Sequence, residues 1–264
     1  MDAVGSVVLA VFAHPDDESL ACGGTLARLA QEGAHVVVVC ASHGERGSHN
    51  GPAKDSGLGC ERAHEMREAA RALGIAEVHL WSHPDGDLCW AEVGLFNAEL
   101  VLMLRRRRPA AVITFGEDGL YWHPDHIGVH ERTLTAVRSL GADAPPLYYV
   151  SMPHGAMSAV VDSARARGWT PPVRGFWSLD PNTFGLYAAP HTIALDVKSQ
   201  VSQKRAAIAA HRSQMGENGS LSQMSAADAE RWLGAEYFRR AATGGAATGG
   251  AATGLLEQLC TPIS

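Results

Sequence analysis

Short apolar runs alternate with helical patterns through residues 1–150, and this alternation limits the possible folds more than any other feature of the chain. Continuous apolar runs of about six residues are typical of strands that helices cover on both faces. The helical patterns between them supply the crossover connections that parallel strands need. We therefore predict an α/β fold, a Rossmann-like three-layer α/β/α sandwich with a mostly parallel sheet. The predicted strands are Val7–Phe12, His35–Cys40, Glu77–Trp81, Ala111–Phe115 and Leu147–Val150.

The helices of this core are predicted from apolar residues at helical spacing and from the glycine residues near their ends. Gly23-Gly24-Thr25 is predicted to open the first helix, which ends at Gly33. The later helices are expected over Glu61–Leu73, Glu92–Arg107 and Ile127–Leu140.

Residues 151–264 give weaker patterns, and we predict an irregular, loop-rich part beside the substrate cleft, with C-terminal helices. It includes a strand over Thr192–Leu195 and a helix over Val197–Arg212. A repeat of alanine, threonine and glycine at 241–254 is expected to be a flexible loop or linker. We treat all 264 residues as a single domain whose core is residues 1–150.

Charge and cysteine usage exclude several classes of protein. A net charge of −6 argues against binding of nucleic acid, which usually needs a basic patch. No stretch is apolar and long enough to span a bilayer and no leader segment is recognisable, so we predict a cytoplasmic protein. The five cysteine residues are scattered and form no CxxC pair, which predicts reduced thiols without a catalytic role.

Three His-Pro-Asp tripeptides follow predicted strands, at His14, His83 and His123. In open α/β sheets, sites form at the carboxyl ends of the strands, where the strand order reverses. With the order 3-2-1-4-5, strands 1 and 4 are neighbours, so the loops carrying His14 and His126 are expected to meet. The His83 tripeptide lies two strands from the first, roughly 10 Å away. We predict that it is a simple turn.

His14, Asp17 and His126 are residues of the types that bind metal ions in proteins. Two imidazoles and one carboxylate with an open position are typical of catalytic zinc, and they also suit Fe²⁺. The adjacent carboxylates of Asp16 and Asp17 repel each other unless a cation lies beside one of them. One metal ion per chain and hydrolysis at that ion are therefore the leading hypothesis.

Three motifs together resemble those of a known family, the PIG-L or LmbE-like N-acetylglucosaminyl deacetylases. They are the AHPDDE sequence at Ala13–Glu18, the Gly23-Gly24 pair after it, and the HPDH sequence at His123–His126. The resemblance covers residues 6–140 well and the C-terminal part loosely. It implies a zinc enzyme with His14, Asp17 and His126 as ligands, which removes acetyl from a small amino-sugar conjugate.

The resemblance also implies roles for the residues around the metal. Asp16 is the implied general base, and His123 would stabilise the oxyanion or give a proton to the leaving amine. Tyr121 matches a tyrosine that assists the oxyanion, and Asp125 is expected to orient His123.

The resemblance also implies substrate binding by Glu45, Arg46 and Arg62, because Glu45-Arg46-Gly47 after the second strand resembles a GE-x-G segment of the family. Arg62 resembles an arginine that holds the substrate, but it could equally be a solvated charge on a helix, paired with Glu61 or Glu65.

Other functions stay open at this point. An amidase that cleaves a larger amide of a glucosaminyl thiol conjugate would release a different product. A sugar-binding protein of the same fold would not need Asp16 beside a metal. A phosphoesterase would often hold two metal ions. Homo-oligomers are a further expectation from the resemblance.

Overall fold

A seven-stranded sheet runs through the part of the chain that the computed structural model describes, which is residues 3–49, 57–90, 93–171, 173, 176–215, 221, 224–242, 254 and 256. The strands are β1 (Val7–Phe12), β2 (His35–Cys40), β3 (Glu77–Leu80), β4 (Ala111–Phe115), β5 (Leu147–Ser151), β6 (Ile193–Asp196) and β7 (Ala235–Arg240). Their order in the sheet is β3-β2-β1-β4-β5-β7-β6. β1 to β5 are parallel, whereas β7 runs antiparallel to both β5 and β6. The predicted mostly parallel sheet and its 3-2-1-4-5 order are confirmed.

Helices pack around this sheet in two groups. They are α1 (Asp17–Gln31), α2 (Leu58–Leu73), α3 (Val93–Arg107), α4 (Gly119–Trp122), α5 (Pro124–Arg138), α6 (Ala156–Ala166), α7 (Val201–Ala210), α8 (Arg212–Met215) and α9 (Ala226–Leu233). α1, α2 and α7 pack on one another, and α3 packs on α5. The predicted repeat at 241–254 lies outside the described residues apart from Ala241, Ala242 and Gly254.

Burial of the central strands holds the sheet together. The side chains of Val8–Phe12 in β1 and Val36–Cys40 in β2 are completely buried, as are all five residues of β4. Each fully buried Val or Phe side chain contributes about 1.5–3 kcal/mol relative to exposure. These continuous apolar runs therefore give a rigid base for the loops that follow β1 and β4.

The first helix begins earlier than the glycine pair predicted. α1 starts at Asp17, and Gly23-Gly24 lies inside it, just after a kink at Cys22 with φ −149° and ψ 24°. A Cβ at Gly24 would meet Val197 Cγ2 at 2.7 Å, so the glycine allows close packing at this point. The kink also frees the backbone N–H groups of Gly24 and Thr25, and the Glu236 carboxylate accepts a hydrogen bond from each.

The predicted helix over Val197–Arg212 is divided in the structure. A 3₁₀ turn at Lys198–Gln200 precedes α7, and the chain leaves helical geometry at His211, with ψ 55°. His211 is completely buried and contacts Glu18 of α1. The break therefore brings an imidazole under the first motif.

Candidate metal centre and active site

The loops after β1 and β4 bring His14, Asp17 and His126 together, as the strand order predicts. The potential ligand atoms of these residues all lie within 4.8 Å of one another. His14 Nδ1 is 3.5 Å from Asp17 Oδ2, and His126 Nε2 is 3.2 Å from Asp17 Oδ1. Burial opposes ionisation of Asp17, but the adjacent imidazoles of His126 and His14 outweigh it and hold its pKa well below its usual range. An ionised carboxylate thus faces two imidazoles.

The orientation of His126 is fixed by its other ring nitrogen. Nδ1 lies 3.0 Å from the carbonyl oxygen of Gly119, which places the proton on Nδ1 and the lone pair on Nε2. The ring also stacks on Phe115, with centroids 3.9 Å apart and planes 7° apart. Nε2 is buried and has no hydrogen-bond partner among the described residues. An unsatisfied buried nitrogen aimed at a carboxylate fits a metal ligand.

His14 is oriented in the complementary way. Its Nε2 lies 3.1 Å from Asp125 Oδ2 and 3.0 Å from Asp85 Oδ1, so Nε2 carries the proton. The lone pair of Nδ1 is left on the side of Asp17. Carboxylates behind a ligating histidine are a frequent means of fixing its tautomer and raising its basicity.

A second set of residues, His14, His123 and Asp125, also lies close enough to hold an ion. This second set fits a metal ion less well, because His14 Nε2 carries a proton and has no lone pair to offer an ion. The oxygens of Asp125 also accept hydrogen bonds from Gly86 N (2.7 Å) and Leu88 N (2.9 Å). The donor chemistry therefore favours His14, Asp17 and His126.

The second tripeptide takes part in the site, which the predicted spacing of about two strands did not anticipate. Residues 84–87 do form a turn, with Asp87 N donating to Pro84 O, but the loop folds back across the end of β2. His83 N donates to Ala41 O, just after β2. Asp85 consequently reaches His14 at 3.0 Å. The predicted turn is present, but the prediction that it lies away from the site was wrong.

Asp125 contacts other partners than the expected one. Its carboxylate binds His14 and the backbone of the loop at residues 86–88. It is the backbone N–H of Asp125 that donates to His123 Nδ1, at 3.2 Å, because His123 is the N-cap of α5. Neutral His123 consequently has its proton on Nε2.

Asp16 lies beside the metal set in a strained backbone conformation, with φ 114°. Its N–H donates to Glu18 Oε2 at 3.0 Å, and Arg62 Nη2 lies 3.3 Å from its Oδ2. Burial raises the pKa of Asp16 to about 6, although the Arg62 guanidinium works in the opposite direction. A carboxylate of this pKa accepts a proton readily near neutral pH.

His123 and Tyr121 stand on the other side of the set. The Tyr121 ring centroid is 5.2 Å from that of His126 and 5.7 Å from that of His123. Burial, together with the neighbouring imidazoles of His126 and His14, lowers the pKa of His123 to about 4. Burial raises the pKa of Tyr121 well above its ordinary value. Both side chains are therefore neutral hydrogen-bond donors at pH 7.

A cavity of about 440 Å³ opens beside the metal set, and Arg46 and Arg62 are among the residues that line it. Arg62 is buried rather than solvated, and it donates to Pro15 O and Gly44 O as well as to Asp16. Its contacts hold the general-base candidate rather than Glu61 or Glu65.

Glu45 does not contribute to the walls of this cavity. It accepts a hydrogen bond from Asp85 N at 3.1 Å and faces a separate depression with His43 and Leu58. Arg46 pairs with Asp87 at 2.5 Å, and its backbone N–H donates to Asp85 Oδ2 at 2.7 Å. These two residues thus position the loop that carries Asp85.

His126→Gln is expected to lower the metal affinity at least tenfold, because it removes one of the three candidate ligands. His130→Gln is the matched control. His130 is one turn further along α5, is buried, and also directs Nδ1 to a backbone carbonyl, that of Phe115 at 2.9 Å. Metal content after dialysis, measured by elemental analysis, should fall in the first variant and not in the second. Equal metal content in both would show that His126 is not a ligand.

In the part of the chain that is described, no helix is both long and apolar enough to cross a membrane.

The fold and the site together define a class, an α/β protein with a candidate His-Asp-His metal site at the switch point of a Rossmann-like sheet. Residues 9–137 match the family model described as PIG-L, GlcNAc-PI de-N-acetylase. A protein of Thermobispora bispora named 1D-myo-inositol 2-acetamido-2-deoxy-α-D-glucopyranoside deacetylase is 32% identical, over 90% of this chain and 89% of its own length. The chain belongs to the PIG-L family.

Solved structures show the same fold. The N,N'-diacetylchitobiose deacetylase of Pyrococcus horikoshii is 21% identical, with a TM-score of 0.61 over 90% of this chain and 84% of its own. The 4-carboxy-2-hydroxymuconate hydratase of Pseudomonas putida is 22% identical, with a TM-score of 0.59 over 94% of this chain and 100% of its own. Since one neighbour is a deacetylase and the other a hydratase, the fold alone does not specify the reaction.

Proposed function

We propose that this protein is a zinc-dependent hydrolase that removes the N-acetyl group from an N-acetylglucosamine-type sugar conjugate. The observation that carries this proposal is the buried, unpaired Nε2 of His126, which faces Asp17 and His14 while Asp16 stays free of the set. The names of relatives about 30% identical to this chain describe deacetylation of such a conjugate.

A zinc ion held by His14, Asp17 and His126 would supply Lewis-acid polarisation of the amide carbonyl and acidify the attacking water. Fe²⁺ suits the same ligands. Asp85 and Asp125 would keep His14 in the tautomer that presents Nδ1.

The reaction itself needs a base, oxyanion donors and a proton for the leaving amine. Asp16 takes the proton of the attacking water, and Arg62 holds its carboxylate in place. The Nε2–H of His123 and the hydroxyl of Tyr121 donate to the carbonyl oxygen as negative charge develops on it. Asp16, now protonated, returns its proton to the departing amine. His123 is a poorer source of that proton, because its pKa is lowered to about 4 and its imidazole is therefore neutral near pH 7.

Release of acetate and of a free amine in equal amounts tests the proposal. The zinc-loaded protein is incubated with a panel of N-acetylglucosaminyl conjugates, and both products are quantified. We expect equimolar products from at least one conjugate. Absence of amine from every conjugate would contradict the proposal, and release of a larger acid from a thiol conjugate would identify the amidase alternative instead.

A further inference from the structure

The cavity beside the metal set has two chemically different ends. One end is formed by the loops after β2 and β3 and by α2, and it presents Arg46, Asp85 and Arg62. The other end is formed by α6, residues 176–184, α9 and β7, on the side of β5 in the sheet. The metal set follows β1 and β4, which lie between these two sides. A bound conjugate would therefore extend from the reacting amide toward both ends.

The second end, called here the apolar end, is walled mainly by hydrocarbon and aromatic side chains. Its residues include Met157 and Val160 of α6, Phe176, Phe184 and Trp232. Phe176 and Phe184 pack edge to face with centroids 5.7 Å apart. Both also contact the Tyr121 ring, at 5.9 Å and 4.7 Å respectively, so the apolar wall continues up to the reacting centre.

Among the described residues that line the apolar end, the two charged side chains, Lys204 and Glu236, are paired with each other. Lys204 Nζ lies 2.6 Å from Glu236 Oε1, and both residues are 3% exposed. The Glu236 oxygens also accept from Gly24 N at 2.8 Å and Thr25 N at 2.7 Å, the N–H groups freed by the kink in α1. This carboxylate is thus committed to the fold. A ligand rich in hydroxyl groups would lose its hydrogen bonds to water here and gain few in return.

We propose that the natural substrate carries an apolar group of several carbon atoms, which the apolar end binds during deacylation. This inference rests on the proposed function. Because the metal set lies between the two ends, the group is either the aglycone of the amino sugar or the acyl chain of the reacting amide. In the second case the acyl group removed is longer than the acetyl group of the proposed function. A hydroxyl-covered inositol aglycone, as named for the relative from Thermobispora bispora, fits this surface poorly.

Four substrates separate the alternatives. They are methyl N-acetylglucosaminide, its octyl glycoside, methyl N-octanoylglucosaminide and the inositol conjugate, all used below micellar concentrations. We expect either the octyl glycoside or the N-octanoyl compound to exceed both methyl N-acetylglucosaminide and the inositol conjugate in kcat/KM by at least about 30-fold. The reason is that each buried methylene strengthens binding about fourfold. The preferred compound identifies the carrier of the chain.

Equal or better kcat/KM for the inositol conjugate would overturn the inference while leaving the proposed function intact. No amine from any of the four compounds, with the wider panel also unreactive, would remove the proposed function and the inference with it.

Met157→Gln tests the wall directly, because it places an amide against the bound chain. We expect the kcat/KM of the preferred long-chain substrate, divided by that of methyl N-acetylglucosaminide, to fall by about tenfold. Leu102→Gln is the control, since Leu102 of α3 is 48% exposed and lies outside the cavity. An unchanged ratio in Met157→Gln would count against the apolar end as the binding site.

Discussion

Asp16→Asn is expected to lower turnover by about 10²–10⁴-fold, the range that a positioned general base contributes. Asparagine has nearly the same shape and still accepts a hydrogen bond from Arg62, but it cannot take a proton from water. The proposed metal ligands His14 and Asp17 keep their contacts, so metal content should be unchanged. Steady-state rates and elemental analysis of the same preparation check both statements.

Asp162→Asn is the control for this substitution, because its carboxylate is exposed and pairs with Arg165 on α6. Its rate should equal that of the original protein. A rate near normal in Asp16→Asn would show that another group is the base. A loss of metal in that variant would show that Asp16 belongs to the ligand set.

Removal of one partner of the Glu18–His211 pair is expected to lower the free energy of unfolding by about 3–5 kcal/mol. Glu18 Oε1 and His211 Nε2 are 3.0 Å apart, and neither side chain is exposed to solvent. His211→Leu leaves the Glu18 carboxylate buried without its cation. Glu18 also holds the N–H of Asp16, whose backbone is strained, so the turnover of this variant should fall as well.

A double-mutant cycle separates the pair from simple loss of packing. Glu18→Gln and His211→Leu are measured singly and together by urea unfolding. The combined loss should be smaller than the sum of the single losses, because the double variant contains no unpaired buried charge. Additive losses would contradict a direct ionic interaction between the two side chains.

Those parts of the fold that depend on local apolar patterns were predictable from the sequence. β1, β2 and β4 are buried on both faces, so their sequences are continuous apolar runs, and the parallel order followed from the helices between them. β7 was missed because its inward-facing positions are Glu236 and Phe238, and a buried glutamate hides the expected alternation. Glu236 is buried because its carboxylate accepts hydrogen bonds from backbone N–H groups at the kink in α1.

The candidate site divides in the same way. His14 and His126 could be grouped from strand order, and Asp17 from its position three residues after His14. Asp85 could not, because ideal strand spacing does not describe a loop that folds back over β2. The Glu18–His211 contact joins residues 193 positions apart, and the helical pattern over Val197–Arg212 continues through His211, so it did not indicate the break at that residue.

Titration of the metal-free protein with zinc decides whether hydrolysis needs one ion held by His14, Asp17 and His126. Acetate release from the best conjugate is measured at each addition. We expect the rate to rise in proportion to zinc and to level off at about one equivalent per chain, as a mononuclear site requires. A metal-free protein that keeps its full rate, or a rise that continues to two equivalents, would contradict this mechanism.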